Sequence, residues 1–572
     1  MVEHRPFKAL VLGSSPSPLT KPILVINNLE EPATVGLRHW PASEIVPSLS
    51  GVRALDIRGE TQEIVPLKLF RLLVALVLIS LSAGAYAEVR LPHIFSDHAV
   101  LQRDRPIHVW GWSSPGAHLL AHFHQQQVAT IADARGLWSL SLRPESAGGP
   151  YLLTITGDGA DVTVQDLLVG DVWIASGQSN MEFPLQGFGP DTPLKNQATE
   201  IANATQPRLR LLRLEHKSND FPLADQSSDW TLCTPETARN FSAVAYFFGR
   251  EISQRENVPI GLVDATWGGT PADSWVSLDT LGSNPQLLPA FASRAHFADE
   301  QASLDATIAS EKAEDQAAQR EGKPLPKHPW HPNETSWSPA GLYNGMIAPL
   351  VPTTIKGFIW YQGETNSAQD RAPYYKSLFS ALIGDWRSHF AQGNLPFLYV
   401  QISSFESPAE DWGAVRDAQR RTLDVANTAM AVTLDIGNPT NVHPSDKQTV
   451  GARLALAARH VVYGEPVVST GPLYREATSE LNDDGSFSLR IWFDDADHLT
   501  SKGKSLTAFE LAGPDRHFVP ATAHIDRDTV LVSSPQIPHP MYVRFGWAGV
   551  VEGNLYNAAD LPASTFVSKP IP

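Results

Sequence analysis

Five short apolar runs recur between residues 172 and 434 with helix-length segments between them, and this alternation narrows the possible folds more than any other feature of the chain. The runs are Val172-Trp173-Ile174-Ala175, Ile260-Gly261-Leu262-Val263, Gly357-Phe358-Ile359-Trp360, Phe397-Leu398-Tyr399-Val400 and Ala431-Val432-Thr433-Leu434. Each is continuously apolar rather than alternating, as expected of strands buried on both faces of a parallel sheet. Helical patterns over 242–254, 374–390 and 445–462 supply crossovers, so the expectation is a three-layer α/β domain. An Ala/Glu/Gln-rich helical stretch over 285–322 and a Pro-rich loop over 324–332 read as a surface insertion at about 285–335.

The flanks follow another rhythm. From Val89 to about Leu168, short alternating runs such as Ile107-His108-Val109-Trp110-Gly111-Trp112 are broken by Gly, Pro, Ser and Asp, the pattern of a β-sandwich or jelly roll. A second β-rich stretch begins near Gly471 and includes Ser488-Leu489-Arg490-Ile491-Trp492-Phe493. The expected organisation is a β-rich region over 88–168, an α/β domain over 169–468 and a β-rich region over 469–572. The two β-rich ends read equally well as separate domains or as parts of one.

Lys68-Leu69-Phe70-Arg71 precedes an apolar run over 72–83 that ends in Gly84-Ala85-Tyr86-Ala87. A basic segment, a short apolar stretch and an A-x-A site make a signal peptide over 65–87. The run is too short to span a bilayer, which takes ~20 residues. Residues 1–64 show no periodicity and read as a non-native or disordered extension from a start codon placed too far upstream. The mature chain would begin at Glu88 and be secreted or periplasmic, with no membrane attachment after cleavage. Residues 88–572 carry 36 Lys and Arg against 54 Asp and Glu, a balance of −18. That acidity argues against a nucleic-acid partner, which needs a basic face. Cys233 is the lone cysteine of the 572 residues, so neither a disulfide framework nor a Cys-rich metal site is available.

Chemistry-bearing residues collect where the apolar runs end. In an open parallel sheet, ligands sit at the carboxyl ends of the strands. Gly177-Gln178-Ser179-Asn180-Met181 follows the first run, Trp267-Gly268-Gly269-Thr270 the second, and Trp360-Tyr361-Gln362-Gly363-Glu364-Thr365-Asn366 the third. Asp435 follows the fifth, and His443-Pro444 comes just before a helix. A serine, closely approaching glycine N–H groups, a side-chain amide, a carboxylate and a histidine meet the needs of acyl transfer through a serine ester. Ser445 reads as a helix N-cap and Asp446 as a first-turn acid rather than as catalysts. The nucleophile elbow G-x-S-x-G is excluded, because position 181 is Met.

These blocks, with Phe95-Ser96-Asp97-His98-Ala99-Val100-Leu101-Gln102 and Asn554-Leu555-Tyr556-Asn557-Ala558 at the two ends, resemble the sialate O-acetylesterase-like branch of the SGNH hydrolases over about residues 89–569. The resemblance implies a carbohydrate O-acetylesterase with a flavodoxin-like SGNH three-layer core and accessory β-sandwich or jelly-roll structure. It implies Ser179 as nucleophile and His443 as base. It also implies an oxyanion hole of the Ser179 N–H, a Gly268 or Gly269 N–H and the Gln362 amide. The chain departs from the pattern at the acid: many SGNH enzymes carry Asp three residues before the His, where Thr440 stands here, followed by Asn441. Asp435 is the expected replacement and Glu364 the runner-up, with a backbone carbonyl as a third option. Asn180, Glu364, Asn366, Trp267 and Trp360 are expected to support the site or bind substrate. Trp275 and Phe183 are further aromatic groups suited to stacking on sugars.

No cofactor and no metal are implied. The expected partner is an acetylated oligosaccharide or polysaccharide. The acidic surface favours neutral plant hemicellulose of the xylan or xyloglucan type over sialic acid esters. From another class comes a non-catalytic carbohydrate-binding protein, which would be indifferent to loss of Ser179.

Overall fold

A computed structural model describes residues 88–571 apart from 158–160, 327, 329–330 and 333–334. The expected signal peptide and N-terminal extension therefore lie outside the described residues. Strands β1 (Val100–Gln102), β2 (Ile107–Trp112), β3 (His118–Phe123), β4 (Gln126–Ile131), β5 (Leu137–Leu142) and β6 (Gly148–Thr156) lead into a long strand, β7 (Val162–Gly177). β2 pairs antiparallel with β5, and β3 pairs antiparallel with β4 and β6. In β5 the buried residues Trp138, Leu140 and Leu142 alternate with exposed ones, as a sheet with one solvated face requires. β6 pairs antiparallel with the first half of β7.

The second half of β7 belongs to the central sheet. With β8 (Gln206–Arg213), β9 (Thr231–Cys233), β10 (Ile260–Thr266), β11 (Gly357–Tyr361), β12 (Phe397–Gln401) and β13 (Thr428–Val432) it forms the order β13-β12-β11-β7-β10-β8-β9. Every pairing is parallel except β8 with β9. All seven residues of β10 and all five of β11 are buried, which accounts for the apolar runs over 260–263 and 357–360. β8 and β9 lie at the outer edge and were not evident in the sequence, because Arg208, Arg210 and Arg213 interrupt the apolar pattern of β8.

Where the two halves of β7 meet, the buried Asp171 accepts hydrogen bonds from Gln102 (2.9 Å), from Arg103 (3.0 and 2.9 Å) and from the Tyr463 hydroxyl (2.9 Å). An N-terminal strand and the end of the α/β region are thus fastened to one carboxylate.

The helices used below are α1 (Ser179–Glu182), α2 (Ala243–Glu256), α3 (Pro289–Arg320), α4 (Tyr375–Phe390), α5 (Trp412–Arg421) and α6 (Lys447–Val461). α2 begins at Ser242, whose hydroxyl accepts the Ala245 N–H, and α5 at Asp411, which accepts that of Ala414. The cap of α6 is Asp446, on the Thr449 N–H, one residue later than the expected Ser445. α3 fills most of the expected helical insertion.

C-terminal strands β14 (Leu473–Leu481), β15 (Phe487–Asp494), β16 (Phe509–Ala512), β17 (Val519–Pro520), β18 (Thr522–Asp526), β19 (Thr529–Ser533), β20 (Tyr542–Phe545) and β21 (Phe566–Val567) make two antiparallel sheets, β14-β15-β19-β18 and β17-β16-β20-β21. Ile491 and Val530 from one and Leu511, Val543 and Phe566 from the other join a single apolar cluster. Among the described residues no strand of the N-terminal region pairs with one of these sheets, and no helix is long and apolar enough to cross a membrane.

Candidate active site

The chain leaves β7 through a turn that only glycine fits. Gly177 has φ +134°, and a Cβ there would stand 2.2 Å from the Tyr361 carbonyl oxygen on β11. The Gln178 N–H donates to that same carbonyl at 3.0 Å, and the Gln178 side chain accepts the Thr365 N–H at 3.1 Å. The chain then enters α1 at Ser179, a half-buried residue whose N–H, at a helix N-terminus, has no intrahelical acceptor. The Ser179 Oγ lies 2.8 Å from His443 Nε2.

His443 sits in the loop between β13 and α6. The Asn441 side chain accepts the His443 N–H at 2.9 Å, and the Asn438 side chain accepts the N–H groups of Thr440 and Asn441. The exposed Phe188 meets the imidazole edge-on at 5.1 Å between ring centroids. Burial first and the Lys447 ammonium second bring the His443 pKa down to about 4, with Glu182 opposing both. The ring is therefore neutral, and able to accept a proton, well into the acid range. We expect kcat/KM for a small acetate ester to rise with pH through a midpoint near 4 and to be level by roughly pH 6. A midpoint near ~6.5, the ordinary imidazole value, would contradict the buried ring.

The expected acid is elsewhere. β13 ends at Val432, and Asp435 lies in the short 3-10 turn Leu434–Ile436. Both its carboxylate oxygens are taken by Arg453 of α6, at 2.6 and 2.7 Å. The expectation that Asp435 orients His443 is therefore corrected: a bidentate arginine on the next helix claims it. Among the described residues no carboxylate bonds the His443 ring. Asp435→Asn should leave kcat within about threefold while lowering stability by about 2 kcal/mol, read by denaturant unfolding, because the loss falls on an ion pair. A hundredfold loss of turnover in the folded variant would restore Asp435 to the site.

Glu364 does not reach the imidazole either. It is buried, and its Oε1 accepts from Asn180 Nδ2 at 2.6 Å. The other Nδ2 hydrogen of Asn180 goes to the Val442 carbonyl at 2.9 Å, and its Oδ1 accepts from the buried Lys447 ammonium. Asn180 and Glu364 thus act as support. So does Asn366, whose Oδ1 accepts from the Ala272 N–H and the Gln362 amide.

The donor set differs from expectation in two places. The Gln362 amide nitrogen is spent on Asn366 Oδ1 (2.6 Å) and the Thr270 carbonyl (3.3 Å), and its oxygen accepts the Tyr375 hydroxyl (2.9 Å). It ties two loops together and offers no free donor. The Gly268 N–H donates to Glu182 Oε2 at 2.6 Å, although Gly268 itself lies against Ser179, where a Cβ would be 3.2 Å from the serine Cβ. Among the described residues, neither the Ser179 N–H nor the Gly269 N–H has such a partner.

Of the aromatic residues, Trp360, Trp275 and Phe183 are fully buried and cannot stack on a sugar. Trp360 lies in the core against Phe379 and Trp386. Trp267 is half-buried, with one face stacked on His216 at 4.5 Å, and His216 bonds Glu182 at 3.2 Å. The sequence reading passed over Glu182, Phe188 and Lys447. Lys447 left one signal: a cation in the first turn of a helix opposes the helix dipole and needs another reason to be there.

The family model described as carbohydrate esterase, sialic acid-specific acetylesterase matches residues 169–308 and 322–460. Sialate O-acetylesterase of Rattus norvegicus is 30% identical over 458 residues, 70% of this chain and 79% of that protein. The Homo sapiens protein of the same name is 30% identical over 409 residues, 64% of this chain and 69% of its own length. The crystal structure of a carbohydrate acetylesterase from Xanthomonas citri matches with a TM-score of 0.72 and 36% identity, over 84% of this chain and 100% of that one. With these likenesses on both sequence and fold, the chain belongs to the carbohydrate esterase family of sialic acid-specific acetylesterases, which are carboxylic-ester hydrolases.

Proposed function

We propose that the chain is a secreted carbohydrate O-acetylesterase of the SGNH type that works through a serine acyl-enzyme, with Ser179 as nucleophile and His443 as base. The observation that carries this reading is the 2.8 Å contact between Ser179 Oγ and His443 Nε2 at the carboxyl end of β7. The imidazole takes the hydroxyl proton as Oγ attacks the acetyl carbonyl, and in this reading the Ser179 and Gly269 N–H groups are the donors to the developing oxyanion. One such donor is worth ~3 kcal/mol of barrier. The protonated imidazole then gives its proton to the leaving sugar oxygen. Water, activated by the same imidazole, releases acetate and restores the serine.

In this reading the leaving sugar goes to a cleft of about 500 Å³ lined by Phe188, which meets His443 edge-on, and by Gln186, Gln197, Arg213, Arg239 and Asn240. Acetylated hemicellulose of the xylan or xyloglucan type remains the reading drawn from the acidic surface. The two arginines favour a second one, a sugar bearing a carboxylate, as in O-acetylated sialic acid. Acetate release from acetylated xylo-oligosaccharides, xyloglucan fragments and O-acetyl sialic acid separates them. Preference for the sialate that is lost in Arg213→Gln selects the second, and no release from any sugar ester sinks the carbohydrate assignment. Secretion rests on the pattern at 65–87, and mass spectrometry of the native protein tests for an N-terminus at Glu88.

A further inference from the structure

One side-chain amide joins the residue after the serine to the residue before the histidine. Asn180 Nδ2 donates to the Val442 carbonyl at 2.9 Å and to Glu364 Oε1 at 2.6 Å, while Asn180 Oδ1 accepts from Lys447 Nζ. A carbonyl and a carboxylate can only accept, and an ammonium can only donate. The three partners therefore permit a single orientation of the amide: the Val442 carbonyl and the Glu364 carboxylate fix its nitrogen, and Lys447 holds its oxygen end from the other side. Lys447 is itself buried, with Nζ 4.8 Å from the Phe183 ring centroid and 5.6 Å from that of Tyr361. Asn180 is its hydrogen-bond acceptor there. The charged groups facing His443 are Lys447 from α6 and Glu182 from α1. Asp446, next to Lys447, is turned to Lys195 at 2.8 Å.

We propose that Lys447 is a positioning residue for the Ser179–His443 pair: by holding the Asn180 amide from its oxygen end it fixes the backbone at Val442, the residue before His443. This rests on the assignment of Ser179 and His443 above. A misplacement of the imidazole by about 1 Å costs about 10² in rate even when every reacting group is present. The same ammonium also disfavours the imidazolium. Burial brings Lys447 down to about 7, so it is still charged near pH 4, where His443 titrates.

The test compares Lys447→Met, the double variant Lys447→Met/Glu364→Gln, and Leu454→Ala, a core change on the same helix that serves as a control for general destabilisation. The double variant removes both charges of the buried pair together and keeps the comparison available if the single variant fails to fold. Two readouts are taken: kcat and KM on p-nitrophenyl acetate against pH, and the His443 pKa by NMR titration, which does not depend on turnover. Expected in both Lys447 variants are a fall in kcat of about 100-fold with KM within about twofold, and an upward move of the His443 pKa by about one unit. Leu454→Ala should lower the melting temperature and move neither. Unchanged kcat and unchanged His443 titration in the Lys447 variants overturn the proposal, and so does the same response from Leu454→Ala. Failure of the underlying assignment is distinct, since it appears as turnover that survives loss of Ser179.

Discussion

Ser179→Ala will fold with the wild-type melting temperature and release acetate from p-nitrophenyl acetate ~10⁶-fold more slowly, the loss seen when a serine nucleophile is removed from a comparable hydrolase. The serine is half-buried at the first position of α1, and its Oγ bonds His443. Alanine therefore removes a reactive group without opening a core cavity. What survives should be the small acceleration from binding and oxyanion donors, measured after purification from an esterase-deficient host. Wild-type turnover in the variant would end the acyl-enzyme assignment to Ser179. Unchanged binding of acetylated oligosaccharide by the inactive variant would support the cleft beside Phe188.

Gly177→Ala is expected to be the most damaging substitution that adds a single methyl group near the site. At φ +134° an L side chain is strained, and the new Cβ would lie 2.2 Å from the Tyr361 oxygen, far inside van der Waals contact. The clash is with backbone, so no side chain can rotate to relieve it. Either β7 and β11 part, breaking a central pairing, or the Gln178–Ser179 turn moves. We expect a loss of several kcal/mol in unfolding free energy and at least a hundredfold loss of turnover in whatever remains folded. Chemical denaturation with activity assays on the soluble fraction checks both. A variant with normal stability and turnover would mean that the turn adopts another conformation.

The central sheet was legible because burial on both faces leaves a plain trace, the unbroken apolar runs that became β7, β10, β11, β12 and β13. Strand β8, second from the edge, escaped because Arg208, Arg210 and Arg213 break up its apolar sequence, although Arg210 itself is buried. The positions of Ser179 and His443 were readable from motifs that follow strand ends. Their partners were not, because a side-chain hydrogen bond across 184 or 267 residues, as for Asn180 with Glu364 and Lys447, has no local signature. Asp435 shows the hazard most clearly. It lay at the right place in the chain to serve His443, but Arg453, one helix further on, holds it. Gln362 failed for a similar reason, since a buried amide must satisfy its own hydrogen bonds before it can offer one to a substrate.

Strand β7 sets a limit on how such a protein can be rearranged. Catalytic and binding modules joined by a flexible linker can be shuffled, shortened or exchanged, because the joint carries no register. Here the joint is a strand, continuous from Val162 to Gly177, with Asp171 fastened at its midpoint. Inserting or deleting one residue on the N-terminal side of Asp171 would turn the neighbouring side chains to the opposite face, and either the β6 pairing or the β10 and β11 pairings would have to give way. The region before residue 162 therefore cannot be grafted, trimmed or replaced as a cassette without rebuilding the strand that carries Ser179. A chimera keeping β1 through β7 from one parent as a block should survive, whereas a crossover within β7 should not.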